Sequence, residues 1–220
     1  MSGQMKDIVI VGAGGLGREV QWLIERINDS DMAWNIKGYY DDGVSKGTII
    51  NDYAVLGTTD DLLQEKEGLS VVCAIGSSVV REHVINKIRQ NKRLEFPNLI
   101  DPSVICSKRI AFGIGNVICA GNIMTTDIKL HDFCILNPGC TVGHDVELSS
   151  FVTLYPNANV SGTVFLGHGS EMGVASCIIQ GRKVGAYSMV GAGAVVVRDI
   201  PENVVCMGVP AKVTRKRLEE

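Results

Sequence analysis

Three stretches carry residue types whose spacing can do chemistry. In Leu136-Asn137-Pro138-Gly139-Cys140-Thr141-Val142-Gly143-His144-Asp145 an imidazole is followed directly by a carboxylate. Such a neighbour orients the ring and raises its basicity, which suits His144 to take a proton near neutral pH. Further upstream, Gly12-Ala13-Gly14-Gly15-Leu16-Gly17 follows the apolar run Ile8–Val11. Gly14 and Gly15 let backbone N–H groups approach a phosphate, and a helix starting there favours its negative charge. The third stretch, Gly38-Tyr39-Tyr40-Asp41-Asp42, ends a second apolar run. Paired carboxylates at that place can grip the hydroxyls or base edge of a nucleotide. Each stretch also has a plainer reading. A histidine at a surface corner is solvated by default, and GAGGLG can be no more than a tight turn.

The elements that hold the glycine-rich stretch are those of a nucleotide-binding α/β unit. Ile8–Val11 reads as a buried parallel strand, and Leu16, Val20, Leu23, Ile24 and Ile27 fall on one face of a following helix. A third strand is expected over Leu69–Ile75, ending at Gly76-Ser77-Ser78. A helix is expected over about Val79–Asn91 with Val80, Val84, Ile85 and Ile88 inward, then a short strand near Leu94–Phe96. The span has room for one mononucleotide half of a Rossmann fold. That argues against nicotinamide redox chemistry and for a mononucleotide-type ligand. The expected domains are a Rossmann-like unit over 1–97, a repeat domain over 98–200 and a C-terminal segment over 201–220.

His144 sits in a different architecture. Counting in sixes from Ile100 to Val196 gives seventeen positions, all apolar. In a chain that is 45% hydrophobic this has a chance probability of about 10⁻⁶ for one register. Small or β-branched residues dominate the positions two before, among them Val104, Cys134, Cys140, Ala158 and Ser176. Each hexad is then a short strand plus a corner, and three hexads close one 18-residue triangular coil of a parallel β-helix of about six coils. Pro102, Ala120, Pro138, Pro156, Val174 and Ala192 recur at that period down one edge. They either shape the corner or line a groove for a thin ligand with an apolar arm, as pantetheine is.

Composition excludes several classes. A net charge of −3 gives no polyelectrolyte signature, so nucleic acid is not an expected partner. No apolar run is long enough to span a bilayer, and Ile8–Val11 is too short for a secretory leader. The seven cysteines, with no CxxC pair, read as free structural thiols suited to a reducing cytoplasm, with Cys106 in a large inward slot. His131 and His168 share a corner but lie two coils, about 10 Å, apart, and His144 is at another corner. Three ligands for one zinc therefore cannot come from one chain, and no metal is expected.

GAGGLG, YYDD, AIGSS, NPGCTVGHD, the closing Val190-Gly-Ala-Gly-Ala-Val-Val-Val-Arg-Asp-Ile-Pro and Gly208-Val-Pro-Ala-Lys together resemble the hexapeptide-repeat sugar acetyltransferases. The subfamily is that of the sialic acid O-acetyltransferases and nucleotide-amino-sugar N-acetyltransferases (NeuD/PglD-like). The resemblance implies a left-handed β-helix, a homotrimer, and acetyl-CoA as co-substrate between neighbouring prisms. By the same resemblance His144 matches the general base, Asp145 its supporting acid, and Gly162 a glycine whose N–H faces the thioester oxyanion. Val174 and Ala192 match acetyl-CoA contacts, and Thr153 stands where some members carry a second histidine near acetyl-CoA. Gly14, Gly15, Leu16, Asp41, Asp42 and Gly76 match contacts to a nucleotide-sugar, and Asn137 resembles a site asparagine. The expected activity is acetyl transfer to an amine or hydroxyl of a sugar. A metal hydratase on the same prism and a non-catalytic nucleotide-sugar sensor are the rivals.

Overall fold

A computed structural model describes residues 5–217. The chain divides into two compact units with the boundary between Pro102 and Ser103.

In the first unit, β1 (Lys6–Val11) lies between β2 (Trp34–Tyr40) and β5 (Leu69–Cys73), parallel to both. The outer positions go to a hairpin, β3 (Ile49–Ile50) and β4 (Tyr53–Gly57), and on the other edge to β6 (Leu94–Glu95). The order is β3-β4-β2-β1-β5-β6. Ile8, Val9, Ile10 and Val11 are buried, as a continuous apolar run in a sheet covered on both faces requires. The hairpin was not anticipated. It turns on Asn51 and Asp52, whose φ values of 42° and 74° suit the twist of a two-residue turn.

Helix α1 (Gly15–Ser30) buries Val20, Leu23 and Ile24. Gly17 is needed there because a Cβ would stand 2.0 Å from the Gly12 carbonyl oxygen. Helix α2 (Thr59–Leu63) is short and opens with a capping box between Thr58 and Asp61. Helix α3 (Ser78–Ile88) departs from expectation in one respect. Val84, Ile85 and Ile88 are buried, but Val80 is exposed. The inward row of α3 runs Ser78, Arg81, Val84, Ile85 and Ile88, so the guanidinium takes the inward place expected for the valine.

The second unit is a three-faced parallel β-helix. Successive strands on each face are 18 residues apart, as in Val117↔Ile135 and Ile135↔Thr153. One face stacks six strands, from Ile105–Cys106 to Val195–Val196. A second runs from Ile110–Phe112 to Lys183–Val184. The third carries Val117–Ile118 through Met189–Val190, then Val204–Met207, and ends with Lys212–Lys216 antiparallel to it. The hexad residues Leu136, Val142, Leu148, Leu154, Val160 and Leu166 fill the interior. Cys106, expected inward, is exposed because it belongs to the terminal coil.

The corners demand a left-handed residue, and many are not glycine: Asp127, Phe133, Asp145, Phe151, Asn157, Thr163, Ala175 and Tyr187 all have φ between 52° and 60°, or 63° at Phe151. Some polar groups buried in corners are bonded, while among the described residues the Asn122 Oδ1 and the hydroxyls of Ser170 and Ser176 have no partner. The Asn122 amide donates to the carbonyls of Cys119 (2.7 Å) and Asn137 (3.0 Å).

Candidate active site

His144 and Asp145 form the corner between strands Thr141–Val142 and Glu147–Leu148. Asp145 takes the left-handed conformation, at φ 58°, which swings its carboxylate back to the preceding ring. His144 Nδ1 lies 2.8 Å from Asp145 Oδ2. An ionised carboxylate only accepts, so Nδ1 is the donor of this pair, and in the neutral ring the lone pair is on Nε2. The shorter arm of aspartate thus reaches the imidazole. Both side chains are more than half exposed, so water and substrate can reach Nε2.

One coil along, Gly162 lies against that ring. A Cβ there would stand 2.5 Å from Nε2 and 2.6 Å from Cε1. Among the described residues nothing accepts from the Gly162 N–H, because the ladder uses its neighbours instead: Ser161 donates to Ile178 and Thr163 donates to the His144 carbonyl. The imidazole and a residue with an unused N–H therefore meet at one corner.

The other histidines are set differently. His131 pairs through Nε2 with Glu147 at 3.0 Å, but one coil above it Ser149 already donates its N–H to Leu166. His168 lies between the rings of Phe151 and Tyr187, each at a centroid distance of 5.4 Å, and His83 is exposed on α3. Among the described residues no group of three or more His, Cys, Asp or Glu is placed to hold a metal ion.

The other site candidates lie elsewhere on the prism. Val174 and Ala192 are exposed on a column with Ala120, Pro138 and Pro156, at the corner preceding the Thr141–Val142 face rather than the one following it. A full face separates this column from His144 within one chain. That face holds a shallow cavity of about 250 Å³ lined by Ile123, Thr125, Thr141, Gly143, Asn159 and Ser161. Asn137 is buried and donates to the Leu154 carbonyl at 2.8 Å. Thr153 is also fully buried, so neither side chain opens onto the His144 corner in the single chain.

In the first unit, Gly14, Gly15 and Leu16 sit at the end of β1, Asp41 and Asp42 after β2, and Gly76 after β5. All are at the carboxyl edge of the sheet. The chain leaves β1 toward β2 but leaves β5 toward β6, so β1 and β5 border a topological switch point, where ligands of such sheets bind. Gly14 caps α1 without a side-chain bond, and no acidic residue occupies the first turn. The two aspartates divide. Asp41 accepts from Ala13 and Gly43 N–H, both at 2.8 Å, and so braces the glycine-rich loop. Asp42 accepts from the Thr59 N–H (2.7 Å) and hydroxyl (2.9 Å) at the start of α2. Arg81 belongs to no motif in the sequence, yet it holds the carbonyls of Ile75 and Gly76 at 2.7 and 3.0 Å. Its signal was a lone guanidinium in register with Val84, Ile85 and Ile88.

Residues 7–88 match the PglD N-terminal domain family. Two solved structures cover 96% of the chain at 30% identity. One is the acetyltransferase domain of PglB from Neisseria gonorrhoeae in complex with acetyl coenzyme A, covered over its full length with a TM-score of 0.88. The other is PerB from Caulobacter crescentus in complex with CoA and GDP-perosamine, covered over 98% with a TM-score of 0.87. The galactoside O-acetyltransferase of Lactococcus lactis is 30% identical over 113 residues, which is 50% of this chain but 54% of that enzyme. The chain thus spans about half the length of that curated relative. Its prism winds left-handed, as theirs do. The chain belongs to the hexapeptide-repeat sugar acetyltransferase family, with a PglD-type N-terminal domain.

Proposed function

We propose that the protein transfers an acetyl group from acetyl-CoA to an amine or hydroxyl of a nucleotide-linked sugar, with His144 as general base. The observation that carries this is the imidazole whose Nδ1 is held by Asp145 and whose Nε2 lies against Gly162, a residue with an unused N–H. The acceptor nitrogen or oxygen attacks the thioester carbonyl carbon, and its proton passes to Nε2. Asp145 supports the imidazolium. The carbonyl oxygen becomes an oxyanion that accepts from Gly162, a donor of a kind whose loss costs about 3–4 kcal/mol of barrier. Collapse restores the carbonyl and expels the CoA thiolate, which takes the proton back from His144. Cys140, on the same coil, does not serve as a nucleophile in this reading: burial pushes its thiol up to about 11.

The nucleotide part of the acceptor is assigned to the edge formed by Gly14, Gly15, Leu16, Asp41 and Gly76, with Asp42 acting through α2. PerB, a structural neighbour, is bound to GDP-perosamine, which supports a nucleotide-sugar acceptor. The acetyl-CoA column and the imidazole lie on different edges of one prism. A homotrimer, in which the column of one copy faces His144 of the next, completes the site in this reading. Seven free thiols suit a reducing cytoplasm. Among the described residues no helix is long and apolar enough to cross a membrane.

The test is an acceptor screen of nucleotide-linked amino sugars and sialic acids with acetyl-CoA, followed by loss of thioester absorbance. His144→Ala should lower turnover by about 10²-fold or more while the protein keeps its assembly. Retained turnover would remove His144 from the mechanism. Nucleotide-sugar binding without any turnover would mark a sensor, and stoichiometric zinc a hydratase.

A further inference from the structure

Arg81 is the largest fully buried side chain of the described residues, 1% exposed, although guanidinium groups ordinarily stay in water. A charge is tolerated in the interior where it is paired and hydrogen-bonded. The Arg81 Nη1 donates to two successive carbonyls, Ile75 (2.7 Å) and Gly76 (3.0 Å). Those carbonyls belong to the loop after β5, which is one wall of the switch point.

The opposite wall rests on this loop. A Cβ on Gly12 would stand 2.9 Å from the Ala74 carbonyl oxygen and 3.4 Å from Ile75 Cγ1. The position of a Gly76 Cβ is 3.9 Å from Leu16 Cδ2. The carbonyls of Ile75 and Gly76 carry partial negative charge. Turned toward the cleft, they would repel a diphosphate docked on the α1 N-terminus. Held by Arg81, they point into the protein. The guanidinium is also near enough to Cys73, at the end of β5, to oppose the upward push of burial on that thiol.

We infer that Arg81 is a positioning residue for nucleotide recognition: it holds the Ile75–Gly76 backbone away from the ligand so that the carboxyl edge of β1 and β5 accepts a nucleoside diphosphate. This rests on the nucleotide-sugar reading given above. It makes Arg81 act on the affinity for the nucleotide and not on acetyl-CoA or on the chemical step.

The test uses the full chain, with UDP, GDP and dTDP as probes in equilibrium dialysis. The only tryptophans, Trp22 and Trp34, both lie in the first unit, so their fluorescence reports whether that unit stays folded. Arg81→Met should weaken binding of the best diphosphate at least tenfold. In turnover it should raise KM for the nucleotide-sugar and leave KM for acetyl-CoA unchanged. Arg81→Lys, which keeps the charge but holds the two carbonyls less well, should fall between. If Arg81→Met shifts the fluorescence melt, Arg81→Lys decides. A folded variant that binds the diphosphate as the parent does would overturn the role of Arg81 and leave the nucleotide reading standing. A parent protein that binds none of the three probes would overturn both.

Discussion

Gly162→Ala separates the position of the imidazole from every other property of the site. Gly162 is not among the residues with positive φ, so alanine fits its backbone. The added methyl would stand 2.5, 2.6 and 2.9 Å from Nε2, Cε1 and Cδ2 of His144, where ordinary contact begins at 3.4 Å. The nearest ring atom must therefore move by about 1 Å, a misplacement that can lower a rate by about 10²-fold. The ring is a half-exposed side chain and yields without disturbing the ladder. Alanine retains the N–H, so the oxyanion donor survives. The expected result is a fall in kcat of about 10²-fold with a melting midpoint unchanged or slightly raised, since Gly→Ala at a compatible site costs nothing or gains about 0.4–1 kcal/mol. The assay is thioester consumption at saturating acetyl-CoA and acceptor, beside a thermal melt. Undiminished turnover in a folded Gly162→Ala protein would show that the ring does not work from this position, and the reasoning from Gly162 would fail with it.

Thiol labelling tests the cysteine assignments. Cys106 should react first with iodoacetamide at mildly alkaline pH and Cys177 more slowly, while the five buried thiols wait for unfolding. Burial pushes Cys73 and Cys140 up to about 11, so their reactive thiolate is scarce well below that pH; rapid native labelling of either, read by peptide mass spectrometry, would contradict the packing. Arg217→Ala should destabilise the second unit by about 3–5 kcal/mol, because it removes the cation paired with the Glu171 carboxylate, whose side chain is 3% exposed. A melting midpoint within a degree or so of the parent would show that the pair contributes little.

The prism was legible because its signal repeats. Each interior residue from Ile100 onward restates one register, and a local exception such as the exposed Cys106 does not erase it. The first unit was legible where apolar runs and glycines are long, at β1 and α1. It was not legible at β3 and β4, where two short strands meet at Asn51-Asp52 rather than at the Asn-Gly that marks such a turn most strongly. Apolar character alone put Val80 inward, since helical spacing does not reveal that a guanidinium with two carbonyl partners can displace a valine. At the candidate site, adjacency in sequence was enough to expect the pairing of His144 with Asp145. Asp42 was harder: its commitment to Thr59 depends on a helix start seventeen residues on.

The distance from His144 to Gly162 is one turn of the prism, 18 residues, which also sets the strand pairing of Thr141 with Asn159. A single-residue insertion between them would carry the glycine out from under the ring and, at the same time, turn interior residues outward. Genetic drift in chain length is therefore confined to whole turns elsewhere in the stack or to outward bulges at other edges. Relatives of different height should differ by multiples of this period, and the segment 144–162 should keep its length in all of them.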